Sequence, residues 1–266
     1  LLNTNIKETI TVVENNLFYS ELTSKEGGSF KSFYLKDYFD LDSQQVNLIS
    51  KEARTLSAEI KSFDGRSLDI SSPWTLQTPS FPGTIKDSLT LTYTKEVLNK
   101  YIISKSLTFY PDSYQIYCEI DATNIPIELV EDNIIISWLG GLNPTEQNIS
   151  DDQLYFQTYS FLGGEQEKFK AKENKPERIT YNGALEWGAI RTKYFCFAFL
   201  PKNPESIRKT VIYGQKQNEK EVYDKNTLAI RNEQYVRNHI HDLVCLLTFS
   251  PKYKLSKLPK IVSADF

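Results

Sequence analysis

The sequence predicts an all-β protein built as a large β-sandwich, and three observations carry that reading. Strand-like apolar runs recur along the 266 residues with turn-forming residues between them. Tyr (16) and Phe (15) are abundant, and β-branched residues fill the apolar runs. Convincing helical periodicity is scarce, so the strands must bury their apolar faces on one another.

The elements follow in chain order. The first strand signals lie between Val13 and Tyr38, and Gly27-Gly28 permits a tight positive-φ turn between two of them. Leu89 to Thr94 alternates apolar and polar residues. Lys105 to Phe109 and Tyr114 to Ile120 flank Pro111-Asp112-Ser113, a hairpin connection. In the second of these strands Tyr114, Ile116, Cys118 and Ile120 share one face, and Gln115, Tyr117, Glu119 and Asp121 take the other. Ile134 to Leu139 and Leu243 to Leu247 are apolar almost throughout and read as central strands. Gly140-Gly141, Asn143-Pro144 and Gly163-Gly164 mark turns. Two polar stretches, Glu165 to Arg178 and Gln215 to Lys225, read as exposed loops. Tyr253 to Leu258 reads as a short helix stopped near Pro259.

One run sets the thickness of the structure. Tyr194 to Leu200 is seven apolar residues in a row, far short of the roughly 20 that cross a bilayer as a helix. It is also too apolar for a strand wetted on one face. The prediction is a strand buried on both sides, with Tyr194, Cys196, Ala198 and Leu200 toward one layer. Phe195, Phe197 and Phe199 then face another layer or a covering helix, Trp187 joins the core just upstream, and Pro201 ends the ladder.

Composition excludes several function classes. Apolar residues make up 40% and charged residues 24%, enough for a sizeable core. Net charge is −3, so nucleic acid has no basic field to meet. No segment reaches transmembrane length, Leu1-Leu2 is no signal peptide, and the domain as given reads as soluble. Met is absent, so the chain reads as an excerpt or a processed product. Cys118, Cys196 and Cys245 lie far apart in apolar runs and read as small buried hydrophobes. One disulfide plus a spare thiol is the alternative in an oxidising compartment.

Catalytic signatures are missing. His239 and His241 would share a strand face, but no third metal ligand accompanies them, and a solvated strand edge accounts for them better. There is no Gly-x-Ser-x-Gly elbow, no histidine placed to activate a cysteine, and no phosphate loop. Glu131-Asp132 and Asp151-Asp152 read as solvated turns, and Asn148-Ile149-Ser150 as a weak sequon. Trp74 and Trp138 read as core, with an exposed aromatic binding surface as the other option.

Four stretches, in order, resemble the large periplasmic domain of bacterial YidC-type membrane protein insertases. Val13 to Leu17, Lys25 to Phe30 and Leu35 to Tyr38 resemble the opening hairpin of that family, with its "GG" turn. Lys105 to Tyr114, leading to Asn124, is similar to its "K-x-F-x-F…Y…N" strands. Trp187 to Phe195, then Leu200-Pro201, looks like its "W-x-x-x-x-x-K/Q-Y-F…I/L-P" segment. Leu247 to Leu255, then Val262 to Phe266, is similar to the stretch that enters the second membrane helix, with Ser250 where glycine is usual.

The resemblance implies a β-supersandwich of galactose mutarotase-like shape with short C-terminal helices. Residues 1–266 would be a single periplasmic domain ending just before a transmembrane helix. The complete protein would insert and help fold inner-membrane proteins, alone or with the Sec translocon. Its partners would be nascent inner-membrane proteins, the translocon with its accessory subunits, and its own transmembrane part. That part would carry the insertion chemistry in a hydrophilic, positively charged groove. The isolated domain is expected to be a monomer that needs no cofactor and performs no catalysis. Lys252, Tyr253, Leu255 and Leu258 would couple the sandwich to the membrane helices. The competing reading is a carbohydrate-binding or aldose-epimerase-like protein of the same architecture. An epimerase usually draws histidines from separated strands, whereas both histidines here sit in one tripeptide.

Overall fold

In the computed structural model, residues 7–40, 42–50, 53–79, 83–145, 154–171, 176–215, 227–235 and 241–249 are described; the expected C-terminal helices lie outside them. The described strands form three antiparallel sheets. The smallest comprises β1 (Ile10–Glu14), β2 (Phe18–Thr23), β3 (Ser29–Phe39) and β4 (Gln45–Asn47), in that spatial order. A five-stranded sheet has the order β13 (Glu177–Asn182), β16 (Ile207–Gln215), β17 (Thr227–Tyr235), β10 (Val130–Leu139) and β5 (Arg54–Ser62). The largest has nine strands. Its order is β12 (Glu165–Phe169), β11 (Gln157–Leu162), β14 (Leu185–Arg191), β15 (Phe195–Pro201), β18 (His241–Phe249), β9 (Gln115–Asp121), β8 (Tyr101–Phe109), β7 (Leu89–Val97) and β6 (Thr75–Leu76).

Both smaller sheets pack on one face of the nine-stranded sheet, and the register shows which. Phe199 pairs with residue 245 of β18, which pairs with Ile116, which pairs with Phe109. Directly paired residues share a face, so Phe199 and Phe109 look the same way, and Phe197, two residues along, looks with them. On that face Phe109 meets Phe18 and Phe30 of the four-stranded sheet, with ring centroids 6.4 and 6.5 Å apart. Phe197 stacks on Trp138 of the five-stranded sheet at 3.7 Å. A continuous apolar cluster runs through all three sheets and takes in both Trp74 and Trp138, so neither is an exposed binding surface. Period-two alternation produces it: in β9 Ile116, Cys118 and Ile120 enter this cluster while Tyr117 faces the other way. The two apolar runs read as central are central, β10 between β17 and β5, and β18 between β15 and β9.

Two local expectations are corrected. Glu165 to Arg178 is not one exposed loop, because its first five residues form β12, paired along β11 from Leu162↔Glu165 to Thr158↔Phe169. Backbone pairing is indifferent to side-chain charge, and a charged strand is well suited to a sheet edge. Phe169 anchors this one in the core. Glu131-Asp132 is not a turn either, since both residues lie inside β10, where its pairing with β5 shifts register between Val130 and Ile134. Of the second polar stretch, Gln215 closes β16 and the rest lies outside the described residues, as do Asn148 to Asp152.

Candidate functional site

Every residue of β15 is buried. Phe195, Phe197 and Phe199 enter the main core between the sheets. Cys196, Ala198 and Leu200 join Trp187, Ala189 and Tyr159 in a second apolar cluster on the opposite face of the nine-stranded sheet. Phe161 stacks on Trp187 there at 5.8 Å, nearly parallel. Tyr194 departs from its expected place beside Cys196: it packs against the main core, its ring edge-on to Phe195 at 6.4 Å. The cause is the turn before the strand. Thr192 donates its N–H to the Phe195 carbonyl at 2.8 Å, and its hydroxyl accepts the Phe195 N–H at 3.1 Å, so strand alternation begins only at Phe195.

Among the described residues, groups that could perform chemistry are scattered or engaged in structural bonds. Among the described residues no three His, Cys, Asp or Glu side chains gather as a metal site. Cys118 and Cys196 are buried thiols on opposite faces of one sheet. Burial pushes the Cys196 thiol up to about 12, so it offers no thiolate near neutral pH. His241 opens β18 opposite Ile120 of β9, beyond the last residue matched to β15. His239 lies outside the described residues, as do Lys252, Tyr253, Leu255 and Leu258, the residues expected to couple the sandwich to a membrane.

Two features were not anticipated from the sequence. The first is a buried ionic knot where the Gly27-Gly28 turn enters the sandwich. Lys105 is fully buried and donates from Nζ to the carbonyls of Glu26 at 3.0 Å and Leu56 at 2.6 Å. The Glu26 carboxylate, also buried, pairs through Oε1 with the half-exposed Arg54 guanidinium. The period of two in β8 puts Lys105 on the apolar face with Ile103 and Leu107, which is the one signal the sequence offers. The second is an exposed apolar corner. Phe63 is 67% exposed, and Ile127 and Leu129 are also open to solvent. The Phe63 N–H reaches the Leu129 carbonyl at 3.3 Å, so these segments adjoin. No local pattern links residues so far apart in the chain.

Comparison with known proteins agrees with this architecture. The family model described as the YidC periplasmic domain matches residues 11–240. A membrane protein insertase YidC of Chlorobium luteolum is 31% identical over 210 residues, covering 74% of this chain and 34% of the relative. Its counterpart in Chlorobaculum parvum is 31% identical over 202 residues, covering 73% and 34%. The chain thus spans about a third of the length of the curated relatives it matches. Among solved structures, a galactose mutarotase related enzyme from Lactobacillus acidophilus has a TM-score of 0.53 at 7% identity, covering 93% of this chain and 100% of that one. An α-N-acetylgalactosaminidase from Bifidobacterium bifidum has a TM-score of 0.61 at 10% identity, covering 96% of this chain and 38% of that one. At such identities the likeness is one of fold, the galactose mutarotase-like supersandwich.

Proposed function

Because the chain belongs to the YidC periplasmic-domain family, we propose that it is the non-catalytic periplasmic domain of a bacterial inner-membrane protein insertase. In this reading residues 1–266 act as one domain that contacts partners and positions them. The complete protein inserts and helps fold nascent inner-membrane proteins, alone or with the Sec translocon and its accessory subunits. The observation that carries the reading is the family match over residues 11–240. The site chemistry supports it: among the described residues, buried Glu26 and Lys105 are bonded to Arg54 and to backbone carbonyls in other parts of the fold. Residues Lys252, Tyr253, Leu255 and Leu258 are proposed to couple the sandwich to the membrane part, with the neighbouring lysines suited to anionic lipid headgroups.

The test uses the full-length protein in cells depleted of their native insertase. Deleting most of the sandwich while keeping residues from about 235 onward should spare substrate insertion. Disrupting the segment Tyr253 to Leu258 should impair it. The reverse pattern would overturn the assignment of roles. Sugar mutarotation by the purified domain, lost on His239→Ala, would instead move the protein to the enzyme class.

A further inference from the structure

The Gly27-Gly28 turn suits its glycines, but the residue before them is held in a backbone shape that its side chain does not favour. Glu26 precedes the two glycines with φ 55°, and Leu56, in β5, has φ 51°. Left-handed backbone crowds a Cβ against the following carbonyl oxygen, and both residues carry a Cβ. Leu56 sits in a bulge, because Ser57 pairs with Ser137 and Arg54 pairs with Leu139, leaving Thr55 and Leu56 opposite Trp138. Glycine takes up such left-handed backbone without steric cost, and leucine does not. The carbonyls of these two strained residues both accept from Lys105 Nζ. They belong to different parts of the fold from Lys105: Glu26 lies in the hairpin joining β2 to β3, Leu56 in β5, and Lys105 in β8.

We propose that the Lys105 amino group is the latch of a conformational joint: it holds Glu26 and Leu56 in left-handed backbone and thereby locks the hairpin turn and β5 onto the nine-stranded sheet. Packing at the joint is tight enough to transmit the lock. A Cβ on Gly27 would come within 3.0 Å of Trp74 and 3.2 Å of Lys105 Cδ, and one on Gly28 within 2.7 Å of Tyr93. The turn also interlocks with β5 through side chains, the Ser29 hydroxyl donating to the Thr55 carbonyl at 2.8 Å and the Phe30 N–H to Thr55 Oγ1 at 2.6 Å.

The latch predicts a local effect that general loss of stability does not produce. In Lys105→Met, amide hydrogen exchange at Gly28, Ser29 and Phe30 should accelerate at least tenfold while Phe197 and Ile190 at the sheet centre change far less. Adding Glu26→Gly to that variant should slow exchange at the turn again by about tenfold, or ~1.4 kcal/mol, within the range that left-handed backbone costs a residue with a Cβ. Adding Glu26→Ala, which removes the same carboxylate and keeps the Cβ, should not. Unchanged exchange at the turn, uniform acceleration across the protein, or equal effects of glycine and alanine would each overturn the proposal. If Lys105→Met alone does not fold, recovery of the fold by Glu26→Gly but not Glu26→Ala supports the latch, and any other pattern rejects it.

Discussion

Phe197→Ala tests whether β15 is the structural centre of the sandwich. Phe197 is 0% exposed, lies on a strand flanked by β14 and β18, and stacks on Trp138 at 3.7 Å with an interplanar angle of 24°. Truncating a buried Phe to Ala costs ~3–5 kcal/mol, as transfer free energy is lost and a cavity opens. The lost aromatic contact, itself ~0.5–1.5 kcal/mol, places this site in the upper half of that range. For a chain of this size each kcal/mol lowers Tm by about 2–4 °C, so the expected drop is roughly 8–20 °C. Phe197→Leu keeps most of the apolar volume and should lose about half as much. Urea and thermal melts followed by circular dichroism measure both losses. Tryptophan fluorescence adds a local reading, because Trp74, Trp138 and Trp187 are all buried and Trp138 is the one stacked on the substituted ring. A loss below about 1 kcal/mol, with unchanged emission, would mean that the stack does not hold the two sheets together.

Gly28→Ala should destabilise by ~2–4 kcal/mol, because the new Cβ would lie 2.7 Å from Tyr93 and 2.9 Å from Leu107 at φ +94°. Gly163→Ala, at φ +58° with nothing within 4 Å, should cost only about 1 kcal/mol; equal losses in urea melts would refute the close-approach argument. Alkaline pH should weaken the fold. Burial raises the Cys196 thiol from 9.0 to about 12 and the Tyr114 phenol from 10.0 to about 12. A group whose folded pKa is raised contributes stability that is fully present below its unfolded pKa and lost as pH rises toward the folded one. The urea midpoint should therefore hold from neutral pH up to 9.0 and fall from there to about 12, and a midpoint that rises over that interval would contradict it.

Much of this architecture was legible in the residues because a strand writes its burial into a period of two. The alternation in Tyr114 to Asp121 marked both faces of β9, and the alternate phenylalanines of 195–199 marked the core-facing side of β15. The Pro-Asp-Ser and Gly-Gly connections were legible because turns depend on local backbone chemistry. Side-chain pattern was silent where hydrogen bonding came from a neighbouring backbone. Thus β12 pairs with β11 despite its run of charge, and Thr192 ends the alternation before it reaches Tyr194. Tertiary structure alone decided what Lys105 would meet. Its acceptors include the Glu26 and Leu56 carbonyls, 79 and 49 residues away, and a buried amino group must find acceptors wherever the sheets bring them. Strand alternation determined which face Lys105 occupies; the packing of three sheets supplied carbonyls that make that position tolerable.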